Sequence, residues 1–493
     1  MIADDARTRT IRGANRFSSM TFDSLTFAVF LLGTWAVFWA TPQWHARKVL
    51  LLVLSYVFYA AWNPFFVLLL IATTGFDWLM GRKLEREQRL SWRRVLLLGS
   101  IIVNLSALGF FKYAQFFTDT AIDLAHVFGI TYRPINLGIL LPVGISFYTF
   151  ESLAYVIDVY RRRSKASTSI LDYSLYVTFF PHLVAGPILR YNDFNPQTQA
   201  PVPFSETLQG RGLALLCLGL ALKVCLADLV FAPVVDAVFA PAAHAGVADA
   251  WLGATTFSLQ VYCDFAGYSL CAIGVALMFG FRFQSNFESP FGAVGMVDLW
   301  NRWHISLSSW LRDYVFTPLG HYRRGRLRGH ANLIFTFFLC GLWHGAAWTF
   351  VLWGGLNGVL LVVERMFRDH VWDFTRVKSP WGRAGLALAT FVIFAIEAVL
   401  FRAHSVHQAG SMMRTMLGFG NGVSSSLVSA HDARFALAVG AAVLVAQILS
   451  ARERGWEWLD RTPVAWRTVI AAAALAAIVF SPGLNPAFIY FQF

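Results

Sequence analysis

The chain reads as an all-α, polytopic integral membrane protein of about 10 to 12 membrane helices, with re-entrant and interfacial helices between them. Three observations predict this class. Hydrophobic residues make up 57% of the 493 and charged residues only 14%, with a mean hydropathy of +0.55, outside the range of soluble globular domains. Apolar stretches recur from about Ser24 to the C-terminus with short connections, and several reach the roughly 20 helical residues that cross a hydrocarbon core. Stretches such as VLLLVLSYVFYAAW and GLALLCLGLALKVCLADLVF are continuously apolar but for Lys223 and Asp228 in the second, whereas strands of an outer-membrane barrel alternate apolar and polar residues.

The elements follow in order. Residues 1–19, MIADDARTRTIRGANRFSS, are polar and lack the apolar core of a signal peptide, so they are expected to be a disordered extension. Met20 is an alternative start, and residues 20–493 are expected to form one membrane domain. WNP at 62–64 should split 49–80 into a hairpin, because proline disfavours helix at the residue before it. The basic runs at 81–94 and 161–165 should both face the cytoplasm, so Val95 to Phe111 goes out and Gly138 to Tyr160 returns. DLWNRWHISLSSWLRDYVFTPLG (298–320) is too polar to cross. Trp303, Leu307, Trp310 and Tyr314 recur at helical spacing in it, which predicts one interfacial amphipathic helix. On that helix His304, Ser308 and Arg312 share a second face. The basic flanks 321–330 and 365–383 place both ends of 331–364 inside. A straight helix over that stretch would be about 50 Å long, so it must fold back, with HGAAW or WGG as the break. Irregular backbone at membrane depth is tolerated only where protein or a wet cavity surrounds it.

The formal net charge of +12 reads first as topology, with membrane lipids rather than nucleic acid as the partner. The five cysteines lie in apolar runs without a CxxC pair, which points to small core residues and to neither a metal site nor a disulfide framework. Two histidines carry the chemical interest. His344, in GLWHGAAW, falls at the expected break, and intramembrane ionisable residues mark function by default. His304 lies on the interfacial helix. The plain alternative for each is a hydrogen-bonded core histidine, and neither has a second ligand at i+3 or i+4 for a metal. Asp264, Glu151 and Asp158 read as structural carboxylates at the membrane boundary or within it, Asp264 being the strongest candidate for a further role.

GISFYTFESLAYVIDVYR (144–161), FPHLVAGPILR (180–190), YCDFAGYS (262–269), NRWHISLSSWLRDYVFTPLG, GLWHGAAWTFVLWG and the terminal FIYFQF together resemble the membrane-bound O-acyltransferase family, in particular its bacterial alginate O-acetyltransferases. The resemblance implies a helical core around a tunnel, thinned on the cytoplasmic side, where His344 and its upstream partner His304 meet as the catalytic pair. It implies cytoplasmic acetyl-coenzyme A as donor, with no permanently bound cofactor. It also implies a periplasmic acetyl-transfer partner, an exopolysaccharide acceptor of the alginate type, and the bacterial inner membrane as location. A neutral buried imidazole suits the base that deprotonates an attacking hydroxyl. His344 is assigned that role and His304 the orientation of the donor or polarisation of its carbonyl, although the roles can be exchanged. Arg312 and Arg302, with Arg323 and Arg324, form a cytoplasmic surface for the coenzyme phosphates, positive-inside residues in contact with lipid headgroups being the alternative for each, and Arg312, on the face of His304, stands above the others. Leu270 and Cys271 depart from the aspartate and methionine that relatives often carry there. A transporter, which predicts internal repeats not evident here, and a non-catalytic scaffold of an export complex are the rival classes.

Overall fold

The computed structural model describes residues 20–132, 135–241, 243–419, 426–452 and 469. The polar extension 1–19 and FIYFQF lie outside the described residues. The described residues form helices and no strand: α1 Leu25–Ala40, α2 Trp44–Ala60, α3 Pro64–Arg86, α4 Leu90–Leu108, α5 Ala114–Val127, α6 Ile145–Tyr160, α7 Ile170–Thr178, α8 Phe180–Leu183, α9 Tyr191–Gln199 and α10 Glu206–Leu220. They continue with α11 Ala232–Phe239, α12 Val247–Met278, α13 Met296–Arg302, α14 Ile305–Leu311, α15 Arg326–His344, α16 Trp348–His370, α17 Pro380–Arg402, α18 Val406–Met416 and α19 Ala430–Leu449. A π-helical turn of 5 residues joins α4 to α5, and a π-helical stretch of 11 residues joins α10 to α11. Seven stretches among the described residues are long and apolar enough to cross a membrane: 64–86, 90–127, 206–239, 247–278, 348–370, 380–402 and 430–449. The all-α polytopic class stands, with α2 and α6, at 17 and 16 residues, shorter than those seven.

The described residues divide into two compact units, one within 1–216 and 268–284 and the other within 217–267 and 285–493. In the first, the WNP break falls where proline places it: α2 stops at Ala60, and Asn63 caps α3 by accepting from the Phe65 N–H at 3.0 Å, with Pro64 as first helical residue. That position suits proline because its missing N–H is unpaired there in any helix. Helix α6 begins at Ile145, after positive-φ Gly138 and Gly144, and is buried almost throughout. Its Glu151 accepts from the Leu189 N–H at 2.9 Å and lies 3.4 Å from His182. Lys48 and Asp172 pair at 2.5 Å. Phe279 packs edge-on against Phe38 at 5.2 Å, and Phe281 lies against Phe179 and Phe194 at 5.1 and 5.3 Å, so the segment 268–284 supplies part of this unit's aromatic core.

In the second unit α15 and α16 form the fold-back expected from charge parity, with the break at Gly345–Ala347. WGG is not a break. Gly354 lies inside α16, where a β-carbon would overlap the Phe337 carbonyl, and one on Gly341 would overlap the Phe350 carbonyl. These glycines let two helices touch backbone to backbone. The single interfacial helix expected over 298–320 is also corrected. It is α13, a break at Trp303–His304, α14, and a π-turn over Arg312–Phe316. Trp303, Leu307 and Trp310 are buried within protein; the spacing that reads as an amphipathic face is satisfied by packing on both sides of the break.

Candidate active site

His304 stands between α13 and α14 at φ 43°, ψ 53°, a left-handed conformation that costs a non-glycine residue roughly 1–3 kcal/mol. It is the N-cap of α14, its carbonyl accepting from the Ser308 N–H at 3.0 Å. Ser, Thr, Asp or Asn usually hold such a position because their side chains accept from the first N–H groups of the helix. Here the imidazole makes no cap. It is fully buried, and neither ring nitrogen has a hydrogen-bond partner among the described residues. Burial lowers its pKa to about 3, since desolvation penalises the cation, so the ring is neutral at physiological pH.

His344 is the last residue of α15 and is also buried. Its ring lies 6.2 Å from that of His304. Aromatic rings enclose the pair. Phe265 meets His304 edge-on at 4.6 Å, Trp343 touches both imidazoles at 5.6 and 5.0 Å, and Trp353 and Phe401 meet His344 at 5.1 and 5.3 Å. Four elements thus contribute: Phe265 from α12, Trp343 from α15, Trp353 from α16 and Phe401 from α17. Two imidazoles in such surroundings can divide acyl-transfer chemistry, one taking a proton from a hydroxyl while the other donates to a carbonyl oxygen as negative charge develops on it.

The two arginines sit differently. Arg302 binds Asp298 at 2.9 Å and the carbonyls of Glu288 and Ala451 at 3.3 and 2.9 Å, so its guanidinium ties α13 to its surroundings. Arg312 is largely exposed, beside Asp313 at 3.1 Å. Because the helix breaks at His304, that residue, Ser308 and Arg312 do not share a face of one continuous helix. Asp264 pairs with Lys223 at 2.6 Å, and Lys223 with Asp228 at 2.8 Å, while the next residue, Phe265, faces His304.

Sequence reading missed two buried polar groups behind the aromatic wall. Glu397 lies one turn before Phe401 on α17 with the Asn357 amide beside it. Asn357 accepts from the Trp300 indole at 2.9 Å and donates to the Trp353 carbonyl at 3.1 Å. A charged letter inside FVIFAIEAVLF was the available signal, since ionisable residues within spans are expensive.

Residues 159–398, which include both histidines, match the model of the membrane-bound O-acyltransferase family. The chain is 39% identical over 421 residues to a probable alginate O-acetylase of Azotobacter vinelandii, covering 84% of this chain and 80% of that protein. It is 34% identical to a peptidoglycan O-acetyltransferase of Helicobacter pylori, over 79% of this chain and 77% of the relative. A teichoic acid D-alanyltransferase of Bacillus subtilis is 28% identical over 51% of this chain and 65% of its own length.

Proposed function

This chain belongs to the membrane-bound O-acyltransferase family, and from that premise we propose that it transfers acetyl groups from cytoplasmic acetyl-coenzyme A toward hydroxyls of an extracytoplasmic, alginate-type polysaccharide. The reaction takes place in the bacterial inner membrane, and a periplasmic partner completes delivery. The hydroxyl oxygen of an acceptor that carries the acetyl group onward to that partner attacks the thioester carbonyl as an imidazole, assigned to His344, accepts its proton. A tetrahedral oxyanion forms and is steadied by a donor, assigned to His304. The C–O bond persists, the C–S bond breaks, and the departing thiolate takes the proton from the imidazole. Coenzyme phosphates engage cytoplasmic arginines, Arg312 among them, while Arg302 stays engaged by Asp298 and the Glu288 and Ala451 carbonyls.

One observation carries this reading: His304 and His344, 40 residues apart in sequence, meet inside one aromatic enclosure. The choice of acetyl and of a polysaccharide acceptor is supported by the names of the relatives over most of this chain's length. The test uses membranes carrying His344→Ala or His304→Ala, matched to the unaltered protein for amount. Acetyl-coenzyme A turnover and polymer acetylation are expected to fall by about 10²–10⁴-fold, the usual contribution of a positioned acid or base. Undiminished acetylation in both variants would return the chain to the scaffold or transporter class.

A further inference from the structure

The usual cap residue of a helix serves that helix, yet His304 keeps its imidazole out of the cap and in the enclosure. The first N–H groups of α14 are satisfied from elsewhere. The main-chain carbonyl of Asn286 accepts from the Ile305 N–H at 3.0 Å, and the Asn286 side-chain oxygen accepts from the Ser306 N–H at 3.2 Å. Asn286 itself is buried. The flanking helix is held the same way. Glu364 on α16 accepts from the N–H groups of Met296 and Val297 at 2.5 and 3.2 Å, at the start of α13. The end of α13 is tied by the Glu288 N–H, which donates to the Arg302 carbonyl at 3.0 Å. The segment Asn286–Glu288 therefore grips the chain on both sides of the His304 junction.

We propose that Asn286 is a positioning residue for acyl transfer, which takes over the N-cap of α14 so that the side chain at position 304 can serve the reaction instead. The physical reasoning is direct. A helix start with its N–H groups buried and unpaired is costly, and a left-handed residue persists only where its surroundings over-determine it. Without the Asn286 oxygen, the Ser306 N–H loses its acceptor, and the junction relaxes toward ordinary backbone. A residue with ordinary backbone directs its side chain elsewhere. The imidazole then leaves its place 6.2 Å from His344, and a displacement of about 1 Å at a reacting group can cost on the order of 10²-fold in rate.

This inference rests on the functional reading given to His304, and a double-mutant cycle separates the two. Turnover of acetyl-coenzyme A is measured per folded molecule in detergent for the unaltered protein, Asn286→Ala, Asn286→Asp, His304→Ala and the double variant Asn286→Ala/His304→Ala. Asn286→Ala is expected to lower kcat tenfold or more with KM for acetyl-coenzyme A within about twofold. Asn286→Asp keeps an acceptor oxygen and is expected to recover most of kcat. In the His304→Ala background the Asn286 change is expected to cost nothing further, because there is no imidazole left to place. A loss of equal size in both backgrounds, or a kcat per folded molecule unchanged by Asn286→Ala, overturns the proposal. Where the alanine variant is recovered in small amount, Asn286→Ser, with a shorter reach to Ser306, repeats the cycle and is read by the same two criteria. Full activity of His304→Ala itself is a separate outcome: it removes the role of His304 and takes the positioning role down with it.

Discussion

Protonating His304 would place a cation among Phe265, Trp343 and His344, with no acceptor for either N–H among the described residues. The sign of the resulting pH dependence follows from its pKa of about 3 in the folded protein against about 6.5 when unfolded. Between those values the unfolded chain holds a proton that the folded chain refuses. Stability is therefore complete above pH 6.5 and declines as pH falls toward 3, by up to about 1.4 kcal/mol per pH unit from this group. Thermal unfolding of the detergent-solubilised protein at several pH values should show a shallower acid slope for His304→Gln than for the unaltered chain. Identical slopes would mean that the ring titrates normally. Glu397 allows a second test at this scale. Glu397→Gln keeps the size and contact with Asn357 but removes any charge, so protein level should hold. If the carboxyl tunes the wall behind Trp353 and Phe401, the variant's pH–rate profile moves; an unchanged profile assigns Glu397 to packing.

Elements were legible in the sequence where a local signal forced them. Pro64 announced the turn between α2 and α3, and the parity of basic flanks required α15 and α16 to fold back near His344. The break at His304 carries no such signal. Trp303, Leu307 and Trp310 keep helical spacing across it, and the groups that stabilise the break, Asn286 and Glu364, are remote in sequence. His344 and His304 each stood out from the residues around them, but their meeting as a pair was legible only through resemblance, and their aromatic enclosure, drawn from four helices, needed the fold. The contact of α15 with α16 yields a prediction of its own. Gly354→Val should force the helices apart at Phe337 and Gly341, with a cost of about 1–3 kcal/mol typical of overpacking, visible as a lower Tm. Gly355→Ala, at a position with nothing within reach of a β-carbon, should leave Tm within a degree or two.

At the scale of the whole molecule, several of the charges inside the largely apolar fold are paired. Lys48 and Asp172, joining α2 to α7, are mostly buried. Lys48→Met strands the aspartate, and removing one partner of such a pair typically costs about 3–5 kcal/mol, so the variant should be recovered in much smaller amount. Lys48→Met combined with Asp172→Leu should restore much of it. If the single variant is as abundant as the unaltered protein, the pair is not holding the two helices. The order in which the chain is made has its own consequence. Phe279 and Phe281 complete the aromatic core around Phe38 and Phe179, but residues 217–267, which belong to the other unit, are synthesised before them. At a translation rate of about 5–20 residues per second, the first unit waits on the order of several seconds for its closing segment. During that interval its rings face lipid, the insertion machinery or a chaperone, which makes the nascent chain, rather than the finished enzyme, the stage most exposed to quality control.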